Sequence, residues 1–193
     1  MSKNKVYIIH GYGASPQHHW FQWLRQQLEQ QGVTVTVPAL PDPEHPLKPA
    51  WDQCLQQVIA QPDQHTFFVA HSLGCIALLD YLQQLDPQPK IGGLLLVSGF
   101  SSAVPGYALI NPFIAHALQP EQLIALTSQR VVVAAQNDPI VPYDLSQELS
   151  EQLQAELITL PDGGHFLGSD GFARFQLVYE LISSMLKQTN SQE

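Results

Sequence analysis

The sequence predicts an α/β fold in which a six-stranded parallel sheet carries helices on both faces. Two observations lead there. Short apolar runs alternate throughout the 193 residues with segments whose apolar residues recur at helical spacing. One such run, Phe67-Phe68-Val69-Ala70, breaks at His71-Ser72-Leu73-Gly74 and opens directly into a helical pattern, the way a strand passes its chain to a crossover helix.

The elements follow in order. Strand one covers about Lys5 to His10. Ser15-Pro16 then offers an N-cap and a proline at the first helical position, and Trp20, Trp23, Leu24 and Leu28 keep helical spacing until Gly32 closes the helix. Strand two is Thr34 to Val37. Pro38 to Pro49 reads as a loop, because fixed backbones and missing N–H donors exclude helix and interior strand. Helix two runs from about Ala50 to Ala60, with Trp51, Leu55, Val58 and Ile59 apolar. Strand three leads to Ser72, and helix three covers about Leu73 to Leu85. Strand four is Gly93 to Val97, strand five runs from Arg130 to Asp138, a helix lies near Tyr143 to Leu153, and strand six is Leu157 to Leu160. The last helix spans about Phe172 to Lys187, which leaves 188–193 as a polar, flexible tail behind a single domain over 1–187.

Composition narrows the class. A chain 45% hydrophobic and 13% charged can bury one sizeable core. A net charge of −9 with eight Lys and Arg and no basic run argues against nucleic acid or an anionic membrane as partner. No apolar run approaches a membrane span, and the first strand starts too early for a signal peptide, so the expected location is cytoplasmic. The two cysteines, Cys54 and Cys75, read as small buried side chains rather than a disulfide framework.

The chemistry lies at strand ends. Ala70-His71-Ser72-Leu73-Gly74 has the form of a nucleophile elbow, a strained strand-to-helix turn that lifts a serine hydroxyl clear of the sheet and needs small residues two positions either side. Ser72 alone would also suit the N-cap of the next helix, Asp138 before Pro139 would suit a turn, and His165 beside Gly163-Gly164 would suit a loop. Their coincidence just beyond predicted strands, in the order Ser, Asp, His, is the α/β-hydrolase order. On that fold the expected strand order is 2-1-3-4-5-6. Phe100 to Gln129, where larger hydrolases insert a lid, is long enough only for a short, partly helical cover.

His10-Gly11-Tyr12-Gly13 follows strand one, where this fold places one oxyanion-binding N–H; the other comes from the residue after the nucleophile. That assigns Tyr12 and Leu73, with Gly11, Gly13 and His71 expected to contact substrate. His18 and His19 adjoin, would diverge on a helix, and make a poor metal pair. His10 reads as a hydrogen-bonded structural group, Asp162 as the reserve acid, and the tryptophans as core with one edge available to an acyl pocket. No metal or cofactor is expected.

The chain resembles the small serine hydrolases related to retinoblastoma-binding protein 9, which include bacterial members of the YdeN type. The resemblance covers nearly the whole length and rests on His10-Gly11, Trp20 and Trp23, Leu40-Pro41-Asp42-Pro43, Trp51, His71-Ser72-x-Gly74, Asp138-Pro139 with Pro142, and Gly164-His165-Phe166. It implies a compact α/β-hydrolase with triad Ser72, Asp138 and His165 and esterase-type activity on small substrates. Ala70 stands where glycine is commoner. A Leu-x-Cys-x-Glu pattern is absent, since Leu73 and Cys75 are followed by Ala77, so no protein partner of that kind is indicated. The expected reaction is cleavage of a short-acyl carboxylester, with amidase, peptidase or thioesterase chemistry, or a noncatalytic binding scaffold, as the alternatives.

Overall fold

The computed structural model describes residues 3–59 and 61–190, with side chains as far as 188. Six parallel strands form one sheet in the order β2-β1-β3-β4-β5-β6. They are β1 Lys5–Ile9, β2 Thr34–Thr36, β3 Thr66–His71, β4 Gly93–Val97, β5 Arg130–Ala135 and β6 Glu156–Leu160. The helices are α1 Phe21–Gln30, α2 Lys48–Val58, α3 Leu73–Gln83, α4 Pro120–Leu126, α5 Tyr143–Gln152 and α6 Gln176–Asn190, with 3-10 turns at Ala108–Ile114 and Gly168–Asp170.

Period-two alternation along the strands divides the core into two layers. Val6 and Ile8, Phe67 and Val69, Leu95 and Val97, and Val131 and Val133 face α1 and α6. Tyr7 and Ile9, Phe68 and Ala70, Leu94 and Leu96, and Val132 face the layer of α2, α3, α4 and α5. All six residues of β3 are buried, which is why that strand reads as a continuous apolar run rather than an alternating one. Cys75 is buried in α3 while Cys54 is only partly buried, and both are free thiols. No helix among the described residues is long and apolar enough to cross a membrane.

Four expectations need correction. Helix one does not begin at Ser15-Pro16, where the His18 N–H bonds back to the Ser15 carbonyl in a turn. It begins at Phe21, because His19 lies at φ 54° and cannot continue a helix. Pro49 sits in the first turn of α2, where its missing N–H costs nothing, so the proline-rich loop ends earlier than predicted. The last helix starts four residues late, at Gln176, and runs to Asn190, so positions 188–190 are helical rather than tail. Ala60 and residues 191–193 lie outside the described residues.

Candidate active site

Ser72 stands between β3 and α3 with φ 54° and ψ −126°, backbone values that a residue with a side chain holds only under constraint. Its N–H donates to the Val97 carbonyl at 2.9 Å and its carbonyl accepts the Cys75 N–H at 2.9 Å. The turn can pack there only because position 74 lacks a side chain. A Cβ on Gly74 would lie 2.5 Å from the His10 carbonyl oxygen and 2.7 Å from that of Ile9. The Ser72 hydroxyl makes no capping bond to α3.

That hydroxyl instead donates to His165 Nε2 at 2.9 Å, and His165 Nδ1–H donates to Asp138 Oδ2 at 2.8 Å. The His165 and Asp138 side chains are 4% and 2% exposed, so the line of bonds is shielded from water. Asp138 accepts three further bonds. The Ile140 and Val141 N–H groups donate to Oδ1 at 2.9 and 3.0 Å, and the Ser98 hydroxyl donates to Oδ2 at 2.9 Å. The three predicted residues therefore meet, 93 and 27 positions apart, because parallel strands deliver their C-terminal ends to one edge. Asp162, the reserve acid, is bonded to the Asn137 side chain and not to His165.

The His165 loop is held from both sides. Asn137 Oδ1 accepts the N–H groups of Gly163 and Gly164 at 2.9 Å each, and Asp170 Oδ2 accepts those of His165 and Leu167 at 3.0 Å each. A Cβ on Gly164, at φ 54°, would stand 2.8 Å from the Asp170 carboxyl group, so this approach requires glycine. The Trp20 indole N–H donates to the Phe166 carbonyl at 3.1 Å, and His71 Nε2–H donates to the His165 carbonyl at 2.9 Å.

The loop after β1 approaches from the other side. His10 Nδ1–H donates to the Gly11 carbonyl at 3.0 Å and its Nε2 accepts the Leu40 N–H at 3.0 Å, the structural role expected of it. Gly13 donates to the Pro43 carbonyl at 2.8 Å. Gly11 packs on the elbow itself, since a Cβ there would lie 2.9 Å from Ser72 Cβ. Leu73 opens α3 immediately after Ser72, where first-turn N–H groups have no intrahelical acceptor.

These parts enclose a cavity of about 240 Å³. Tyr12, Gly13, His19, His71, Ser72 and His165 supply its polar lining; Phe100, Val104, Tyr107, Ile110, Ile140, Val141 and Leu167 its apolar lining. Of the predicted contact residues, Gly13 and His71 line it and Gly11 does not. Neither Trp20 nor Trp23 lines it; Trp20 is fully buried and Trp23 packs on Tyr179. Among the described residues, none that lines it is Asp, Glu, Lys or Arg, and the extra histidines are uncharged. Burial first, and then the nearby His165, holds His71 well below the usual imidazole range. Burial, then His18 and His165, pulls His19 down to about 4. Burial lowers His10.

A larger depression of about 510 Å³ opens at the N-terminal strand ends. Its cations are occupied: Arg130 donates to the carbonyls of Leu153, Ile124, Thr127 and Gln154, and Lys90 to that of Ala125. Among the described residues no group of three or more His, Cys, Asp or Glu could hold a metal ion.

Sequence reasoning passed over Ser98, Asn137 and Asp170, and weighed His19 only as half of a poor metal pair. Ser98 had a signal, since it directly follows β4 at the same sheet edge as Ser72. Asn137 adjoins Asp138. Asp170 and His19 had none, because their roles depend on contacts across the fold.

A serine at an elbow, bonded to a histidine on an α/β sheet of this order, defines the α/β-hydrolase fold. The chain belongs to the serine hydrolase family, whose model matches residues 6–184. It is 37% identical over 180 residues to YdeN of Bacillus subtilis (strain 168), covering 93% of this chain and 95% of that one. To the serine hydrolase RBBP9 of Rattus norvegicus it is 26% identical over 189 residues, 96% and 97% of the two chains. The crystal structure of the B. subtilis ydeN product aligns with a TM-score of 0.93 at 36% identity, covering 96% of this chain and all 100% of that one. Est1E of Butyrivibrio proteoclasticus, at 13% identity and a TM-score of 0.70 over 98% and 89% of the chains, is similar in fold alone.

Proposed function

We propose that this serine hydrolase cleaves short-acyl carboxylesters through a Ser72–His165–Asp138 triad and an acyl-enzyme intermediate. The observation that carries the reading is the unbroken line from Ser72 Oγ to His165 Nε2 at 2.9 Å and from His165 Nδ1 to Asp138 Oδ2 at 2.8 Å. His165 takes the Ser72 proton as the oxygen attacks the ester carbonyl. Asp138 keeps the ring in the tautomer with Nε2 free and stabilises the imidazolium. The Tyr12 and Leu73 N–H groups meet the developing oxyanion, each worth a factor of roughly 10²–10³. His165 then returns the proton to the leaving oxygen, and water repeats the cycle on the acyl-enzyme. No cofactor enters this scheme.

The cavity argues for the substrate class. At about 240 Å³ it is smaller than the roughly 300–1,000 Å³ of drug-sized sites. It offers no formal charge to a carboxylate or an ammonium group, so a small neutral acyl group fits and a charged aminoacyl group does not. We place the reaction in the cytoplasm, in a single domain that includes α6 as far as Asn190, with a small ester as the partner.

The test is intact mass after fluorophosphonate treatment of the native protein and Ser72→Ala, followed by turnover of acyl esters from acetyl to palmitoyl. One adduct, present only on the native chain, and a preference for short acyl groups are expected. No adduct on folded native protein would overturn the triad; a steady rise of kcat/KM to palmitoyl would overturn the short-chain part. Faster cleavage of matched thioesters or aminoacyl amides would move the enzyme to those classes.

A further inference from the structure

We infer that His19 is a substrate-binding residue whose Nε2–H donates to a second oxygen on the leaving group, making esters of ether- or hydroxyl-bearing alcohols the preferred substrates. The inference rests on the reaction proposed above, which sets where the leaving group must lie.

Its first support is the backbone. His19 is not glycine yet stands at φ 54°, and strain of this kind persists only where the surroundings enforce it. They do so here through the His165 loop: the Trp20 indole donates to the Phe166 carbonyl at 3.1 Å, and the Gly168 N–H donates to His19 Nδ1 at 2.9 Å. The second bond also fixes the tautomer. Nδ1 must present a lone pair to Gly168, so the proton of the neutral ring is on Nε2. With its pKa pulled down to about 4, chiefly by burial, the ring is uncharged at neutral pH.

The third support is an unused donor at a cavity wall. His19 lines the same cavity as Ser72, and among the described residues no protein group accepts its Nε2–H. Position then selects the part of the substrate. His165 Nε2 returns a proton to the leaving oxygen, so the leaving group departs on the His165 side of Ser72, and His19 is bonded to Gly168, three residues further along that loop. The apolar lining supplied by Phe100, Val104 and Ile110 remains for the acyl chain. A donor beside the leaving group favours an acceptor one or two carbons beyond the ester oxygen, as in glycol-type esters.

The experiment compares 2-methoxyethyl butyrate with butyl butyrate, which differ by one oxygen in place of a methylene. His19→Asn is the informative variant. Asparagine tolerates the left-handed backbone and can still accept the Gly168 N–H through its side-chain oxygen, but it lacks the donor at Nε2. The kcat/KM ratio of methoxyethyl to butyl ester is expected to fall roughly three- to tenfold from native to variant, carried by KM, as for one neutral hydrogen bond. An unchanged ratio overturns the inference. The native enzyme alone supplies a second measure: its preference should exceed that of hydroxide for the same pair by a similar factor, and equality with hydroxide overturns the inference even where the variant does not fold. If the native protein takes up no fluorophosphonate and cleaves neither ester, the triad reading itself has failed.

Discussion

Ser98→Ala isolates one hydrogen bond on the proposed catalytic acid. Asp138 accepts four bonds: two from backbone N–H groups to Oδ1, and one each from Ser98 and His165 to Oδ2. Serine and alanine suffer the same penalty at φ 48°, so the substitution removes the hydroxyl without changing the backbone strain. A bond to a charged acceptor contributes about 1.5–3 kcal/mol, which for a domain of this size lowers Tm by about 4–10 °C. Without that hydroxyl, Oδ2 is held by His165 alone, so the acid and the ring it orients are placed less firmly. The rate at neutral pH falls about three- to tenfold, far less than the roughly 10⁴-fold expected of Asp138→Asn. Ser98→Thr, which keeps the hydroxyl, restores the native rate. The assays are calorimetric Tm and kcat/KM at neutral pH on a short-acyl ester. A native Tm and a native kcat/KM in Ser98→Ala, or greater damage from Asp162→Asn than from Asp138→Asn, would refute the assignment of the acid.

The other perturbations test the frame around the triad. Gly74→Ala drives a Cβ to 2.5 Å from the His10 carbonyl oxygen, just past β1, and 2.7 Å from that of Ile9; it should cost at least about 1–3 kcal/mol and most of the turnover, and a native Tm would show that the elbow can open freely. Trp20→Phe strips the buried Phe166 carbonyl of its donor at a cost of about 1–3 kcal/mol; calorimetry should register the loss and kcat should fall as the His165 loop loosens. Stability should fall on acidification, because His71, His19 and His10 are held neutral in the fold while the unfolded chain takes up protons near pH 6.5. Their contribution is complete above about pH 6.5 and is lost as pH drops toward the folded values, about 4 for His19; a Tm flat between pH 7 and 4.5 would contradict this. Chelators should leave turnover unchanged, and a loss reversed by added metal would contradict the scheme.

The pattern of strands, their order and the strand ends where Ser72, Asp138 and His165 meet were legible in the sequence because each depends on local chemistry. Period-two runs mark strands, Ala70-x-Ser72-x-Gly74 marks a turn that only small neighbours permit, and strand ends in a parallel sheet share one edge. Helix one was misread at its start for the opposite reason. Ser15-Pro16 is a sound local signal for a helix, yet His19 leaves the helical region to bond a loop 149 residues away.

Sequence alone, then, determined the family of folds, the order Ser72, Asp138, His165, and the absence of charge suited to nucleic acid. Only the tertiary structure decided which acid meets His165, with Asp138 bonded to it and Asp162 turned to Asn137. Only there does Ser98 join Asp138 and does His19 become a cavity-lining donor with a fixed tautomer. The physical reason is range. Patterns of burial and turn formation are written over a few neighbouring residues, whereas hydrogen-bond partners and neutral buried histidines are set by groups that only the finished fold brings together.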